Sequence, residues 1–355
     1  MKRTWVLSAI VICGLTVASV AAQRDGGAGQ AGGGGRGAGR GGGNPIPPSG
    51  TIQHIKDNLY KIPGAGSNTT VFVGDAGVVL VDTKLANNGE AIMNQVKSVT
   101  DKPVTMLINT HVHPDHNGSN DYFKTARPTV EIVTHENVAK SVAANPKANP
   151  AWTPTRTFGD RTTIGKGKDQ IDLYYFGPGH TNGDAFVVFP SLAAMCVGDL
   201  MAWNMAPLID PGTGGTVIGL PDTLEKAVKG IKGVSLVIEG HGNVNTWDGF
   251  RTYAEFNRAI LTVAKSALSR GETPDQALAE LEKDKRFAVL LKDELLKDLE
   301  YGNTPRYRAL LNINVAFQEL KGEPVTTNFN LPRRGGPPPA APAGGPGAAP
   351  APPGK

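Results

Sequence analysis

The first apolar positions of the chain come in short runs that alternate with polar ones. Residues 51–55, 59–62, 70–73 and 77–82, separated by Gly, Asn and Asp, each read as a strand, and together as a meander. The period then changes. Ile92, Val96 and Val99 recur at helical spacing, and the compact run 104–108 reads as a buried strand, so a β-α-β unit ends in a loop at a strand's carboxyl edge. A further strand over 130–134, a helix from Glu136 and a Pro-rich loop carrying Trp152 follow, up to Phe158. The second half repeats the theme, with strands predicted over 170–176, 185–189, 193–197 and 236–238.

The last part turns helical. Tyr253, Phe256, Ile260, Val263, Ala267 and Leu268 mark one face of a helix that stops at Gly271. Thr273, Pro274 and Gln276 supply an N-cap, a first-turn proline and a capping-box partner for a second helix. A third starts at Thr304 and Pro305, with Leu310, Ile313, Phe317 and Leu320 on one face and Gly322 as its stop. These stripes read as core faces.

Both ends break the pattern. Lys2 and Arg3 precede an apolar run over 5–17 and small residues over 18–22, the layout of a secretory signal peptide cleaved near Ala22. An uncleaved N-terminal anchor is the competing reading, because the run approaches the length that spans a bilayer. Residues 23–50, Gly-rich, and 332–355, rich in Pro, Ala and Gly, hold too few apolar side chains to offset their ordering entropy. The expected organisation is a signal peptide (1–22), a disordered leader (23–50), a strand-rich α/β domain (51–250), a helical region packed on it (251–331) and a disordered tail (332–355). The expected address is periplasmic or secreted.

Composition adds three constraints. A 355-residue chain with 39% hydrophobic residues is long and apolar enough for a sizeable core. Loss of Lys2 and Arg3 takes the formal charge from +4 to +2, too mild a field to attract nucleic acid, and no stretch after the signal is apolar enough for stable membrane insertion. Cys13 lies in the signal, so Cys196 stands alone and no intrachain disulfide forms in the mature chain. Oligomeric state is open.

The chemistry is concentrated in histidine. Of seven histidines, five fall in one ordered set: His111, His113 and His116 in Thr110-His-Val-His-Pro-Asp-His116, then His180 and His241. In an extended segment His111 and His113 point to the same side and can bind one metal, while Pro114 redirects the chain and offers Asp115 and His116 to a second. His180 completes a three-His group with a position left for water, and His241, between two glycines, joins Asp115 and His116. Asp199, after a β-rich run, can bridge both ions. Asp115 is a candidate ligand and also a candidate proton carrier. His54 and His135 read as structural, and Thr181 reads equally as a residue that orients a ligand or as a structural hydroxyl. Strand alternation puts Cys196 on the face opposite Asp199, a small core residue.

The HxHxDH motif followed by distant His, Asp and His resembles the metallo-β-lactamase superfamily, over about residues 68–243. The resemblance implies a four-layer αβ/βα sandwich with a C-terminal helical extension, the metals at one edge of two facing sheets, and Asp82 as the acidic residue that orients a ligand histidine. It further implies an exported hydrolase in which two Zn2+ share a bridging hydroxide that attacks an ester, lactone, thioester or amide of a small-molecule substrate. Iron or manganese suits the same donors. Hydrolysis of β-lactam antibiotics is the second reading, and an iron-dependent sulfur dioxygenase-like enzyme or a non-catalytic metal-binding envelope protein stands behind it.

Overall fold

The computed structural model describes residues 48–292 and 304–325; the signal, the tail and nearly all of the leader lie outside them. Among the described residues, thirteen strands form two sheets, ordered β1-β2-β3-β4-β5-β6-β7 and β13-β12-β11-β10-β9-β8. In the first sheet, β1 (Gln53–Lys56), β2 (Leu59–Ile62), β3 (Thr69–Val73) and β4 (Val78–Val81) form the antiparallel meander. β5 (Val104–Ile108), β6 (Glu131–His135) and β7 (Arg156–Phe158) extend it in parallel. The crossover from β4 to β5 runs through α1 (Gly89–Lys97), the helix expected from Ile92 and Val96, whose side chains are buried.

The second sheet holds β8 (Arg161–Ile164), β9 (Ile171–Tyr174), β10 (Phe186–Phe189), β11 (Ala194–Cys196), β12 (Leu236–Ile238) and β13 (Val244–Thr246). Strand alternation builds its two faces. Val187 and Phe189 of β10 meet Phe72, Val81 and Ile108 of the first sheet, while Phe186 and Val188 turn outward to a second core with the helices. The outer face of the first sheet packs Leu80 and Leu107 on Ile92 and on Phe123 of α3 (Asn120–Ala126). Helix, sheet, sheet, helix is the four-layer order expected.

Helices α5 (Leu220–Gly230), α6 (Trp247–Ser269), α7 (Pro274–Leu281) and α8 (Pro305–Lys321) cover the second sheet. The capping box of α7 forms as read, and Gly322 ends α8 with a φ of +69°. Cys196 is buried between the sheets, where Thr70 Oγ1 approaches its Sγ at 2.9 Å and burial pushes the thiol up to about 12. Among the described residues no helix is long and apolar enough to cross a membrane.

Candidate metal centre

The site gathers at one edge of the two sheets, from both of them. β5 delivers His111, and His113 caps the four-residue helix α2 (Pro114–Asn117), which carries Asp115 and His116. From the second sheet, His180 comes from the β9–β10 loop, Asp199 from the 3-10 turn Gly198–Leu200 after β11, and His241 from the turn after β12. Two donor groups result, each with its donor atoms within 4.8 Å of one another: His111, His113 and His180; and Asp115, His116, Asp199 and His241. Asp199, expected between two ions, groups here with Asp115, His116 and His241.

Hydrogen bonds fix which nitrogen of each ring faces inward. Asp82 accepts from the Thr110 backbone N–H and hydroxyl, both at 2.8 Å, and from Nδ1 of His116 at 2.7 Å. The Thr110 oxygen is then free to accept from Nδ1 of His111 at 3.0 Å. Nδ1 of His180 donates to the Leu208 carbonyl. Each bond leaves the opposite nitrogen as a lone pair directed into the site. The Nε2 of His111 is buried with no hydrogen-bond partner, and Nε2 of His180 stands 3.0 Å from Nδ1 of His113. Converging lone pairs and an orphaned buried nitrogen fit a cation.

Asp199 stands between the halves. Its Oδ1 lies 3.2 Å from His116 Nε2, and its Oδ2 lies 3.2 Å from His241 Nε2 and 3.8 Å from His180 Nε2. Asp115 Oδ2 is 3.3 Å from His241 Nε2. A Cβ at Gly240 would collide with the Asp199 carboxylate, so only glycine leaves that carboxylate its position.

The two halves differ electrically. Burial, then the neighbouring imidazoles, hold His111 well below its ordinary value; burial, then His113, pulls His180 down to about 4. Both are ready as neutral ligands. In the other half burial opposes protonation, yet Asp199, Asp82 and Asp115 push His116 well above its ordinary value, and Asp199 and Asp115 bring His241 up to about 9. That negative potential favours a cation beside the carboxylates.

Two supports were not read from the sequence. Asp210 accepts from Nε2 of His113 at 2.9 Å and is itself bound by the Thr213 hydroxyl. Asn68 ties the β2–β3 loop to the second sheet through Glu239 O at 2.9 Å and Gly240 O at 2.8 Å. Trp203, in the segment that follows Asp199, stacks on His241 with ring centroids 4.4 Å apart. Thr181 sits beside His180, but its hydroxyl bonds Asp184, as a structural hydroxyl would. His135 caps α4 (Glu136–Ala144) and stacks on Tyr175, and His54 bonds the Asp57 carbonyl; neither joins the cluster.

Residues 62–202 match the family model described as the metallo-beta-lactamase superfamily. The chain is 28% identical to 2,4-dinitroanisole O-demethylase subunit alpha of Nocardioides sp. (strain JS1661), over 45% of this chain and 50% of that protein. It is 29% identical to metallo-beta-lactamase type 2 of Elizabethkingia meningoseptica, over 40% of this chain and 59% of the other. These alignments span only about half the length of those relatives. Among solved structures, DIM-1 metallo-beta-lactamase superposes with a TM-score of 0.53 at 17% identity, covering 60% of this chain and 99% of that one. The sec-alkylsulfatase Pisa1 from Pseudomonas sp. superposes with a TM-score of 0.60 at 14% identity, covering 76% and 50%. At such identities the likeness is one of fold.

Proposed function

We propose that this chain, whose residues 62–202 belong to the metallo-β-lactamase superfamily, is an exported two-zinc hydrolase that cleaves an acyl bond of a small molecule. One observation carries the reading: a single carboxylate, Asp199, faces the histidines of both donor groups, which is what a residue shared by two cations must do.

Bound divalent metal would supply Lewis acidity to polarise a carbonyl and to acidify water. The rest falls to the chain. His111, His113 and His180 would hold one ion; Asp115, His116 and His241 the other. Asp82, Leu208 O and Asp210 keep the rings in the tautomer that binds. Asp115 Oδ2, at 3.3 Å from His241 Nε2, is also placed to move a proton at the mouth of the site. The named relatives work on different bonds, a β-lactam, an aryl ether and a sulfate ester by their names, so the acyl bond is tested rather than inherited.

Elemental analysis of the purified protein should give two zinc per chain, and the mature N-terminus should be Gln23. A panel of aryl esters, lactones, thioesters and β-lactams should show turnover of an ester, lactone or thioester. Asp199→Ala should lose one metal and more activity than the roughly 10–100-fold that removal of an outer hydrogen-bond partner costs. Iron with dioxygen uptake, or cleavage of β-lactams alone, would overturn the reading.

A further inference from the structure

The C-terminal helix α8 places a buried guanidinium beside Trp203, the indole next to the donor groups. Arg308 is 3% exposed, and its Nε is buried without a hydrogen-bond partner. No carboxylate lies within ion-pair distance of it among the described residues. Its Cζ stands 5.8 Å from the ring centroid of Trp203, the indole that stacks on His241. Asp199, Tyr253 and Tyr307 are the groups whose charge reaches it.

An uncompensated buried charge is among the most costly features a fold can carry. The cation–π contact with Trp203 recovers only part of that cost. Asp199 does not close the gap, because its two oxygens already face His116, His241 and His180. Cations held by those donors would make the surroundings of Arg308 still more positive. One turn further along α8, Asn312 donates to Pro207 O and Arg308 O while its Oδ1 is buried and unpartnered. The same helix face thus brings an unspent donor and an unspent acceptor.

We propose that Arg308 is an anion-binding residue that receives an oxyanion group of the substrate, a carboxylate, sulfate or phosphate, beside the second donor group. A guanidinium binds such groups through parallel N–H donors. The assignment rests on the hydrolase reading only where it calls the anion a substrate. The substrate is then an organic anion whose charged group lies toward α8 and whose scissile bond lies toward Asp199.

Two measurements on the metal-loaded protein test this. In the first, thermal unfolding of the wild type, Arg308→Met and Arg308→Lys is followed as sodium succinate, sulfate or inorganic phosphate replaces chloride at constant ionic strength. Excluded salts stabilise any fold without saturating, so the readout is a saturable rise in Tm. The wild type should show it, most strongly for the matching anion; Arg308→Lys should weaken it and Arg308→Met should abolish it. An equal response in the wild type and Arg308→Met, or no saturable response to any of the three, overturns the proposal. In the second, 4-nitrophenyl hemisuccinate and 4-nitrophenyl butyrate, which differ by a carboxylate in place of a methyl, are compared as substrates. Arg308→Met should lower the anionic-to-neutral ratio of kcat/KM at least about 10-fold, the factor for 1.4 kcal/mol, and an unchanged ratio counts against the site. A wild type that cleaves neither these esters nor any ester, lactone or thioester of the wider panel removes the hydrolase reading, while the Tm response still decides the anion site.

Discussion

Lys84 shows how one side chain can hold the ground on which the site stands. It is fully buried and donates to the carbonyls of Ile62 at 2.7 Å, Gly64 at 2.8 Å and Ser67 at 2.5 Å, and the Ser67 hydroxyl in turn donates to the Asp115 carbonyl. Burial pulls the ammonium from its ordinary 10.5 down to about 7. Between those values the unfolded chain binds the proton that the folded chain gives up, so stability rises with pH across that window and levels off below it. Denaturant titrations should show the wild type gaining up to about 1 kcal/mol per pH unit from 7.5 to 9.5, a gain that Lys84→Met lacks. At pH 7 that variant should also be weaker by about 3 kcal/mol, for the carbonyls it orphans. The ligand residues were legible in the sequence because their chemistry is rare and their order is dense around His111–His116. Asp210 was not: it lies 97 positions from His113, and in an Asp-Pro-Gly run an aspartate reads as a turn former, a role it also performs by accepting from the Gly212 N–H.

At the scale of elements, alternation and helical period recovered β1 to β6, β9 to β12, α1, α4 and α6 to α8. What escaped was short or unmarked. β7 and β13 are three residues each, too brief for any period, and both are held by neighbours rather than by their own faces. α5 begins after Gly219 with no side-chain cap, and its buried face includes Pro221, Thr223 and Ala227, so its stripe is faint. Helix α8, by contrast, was read only as a core stripe, and it does more. Near its end Glu319 accepts from the Thr216 hydroxyl at 2.8 Å and the N–H groups of Val217 and Ile218 at 3.1 and 2.9 Å. That clamp holds the segment leading from Asp210, and so the ring of His113. Glu319→Ala should cost about 2 kcal/mol in thermal unfolding and should weaken metal binding at the three-His group more than at the other. Equal loss at both groups would mean that the clamp serves the fold alone.

For the molecule as a whole, the decisive feature is that neither sheet owns the site. His111, His113, Asp115 and His116 belong to the first sheet, and His180, Asp199 and His241 to the second, so a bound cation joins the two layers at their shared edge. Ligands that bind only the folded state add to its stability, about 4 kcal/mol at a thousandfold excess over Kd. Chelation should therefore lower Tm by several degrees, and zinc should restore it; a Tm indifferent to chelator would mean that the layers hold the donors without help. The four-layer order was inferred from the histidine motif rather than from the strand pattern, since alternation identifies strands and not which sheet each one joins.

The order of these parts along the chain has a consequence for its biogenesis. Synthesis proceeds from the amino end, and the last of the seven donors, His241, precedes Arg308 by 67 positions. A nascent chain thus holds all seven donors before α8, with Arg308 and Glu319, has been made. Truncation before α8 would therefore leave all seven donors in the chain while removing Arg308 and Glu319.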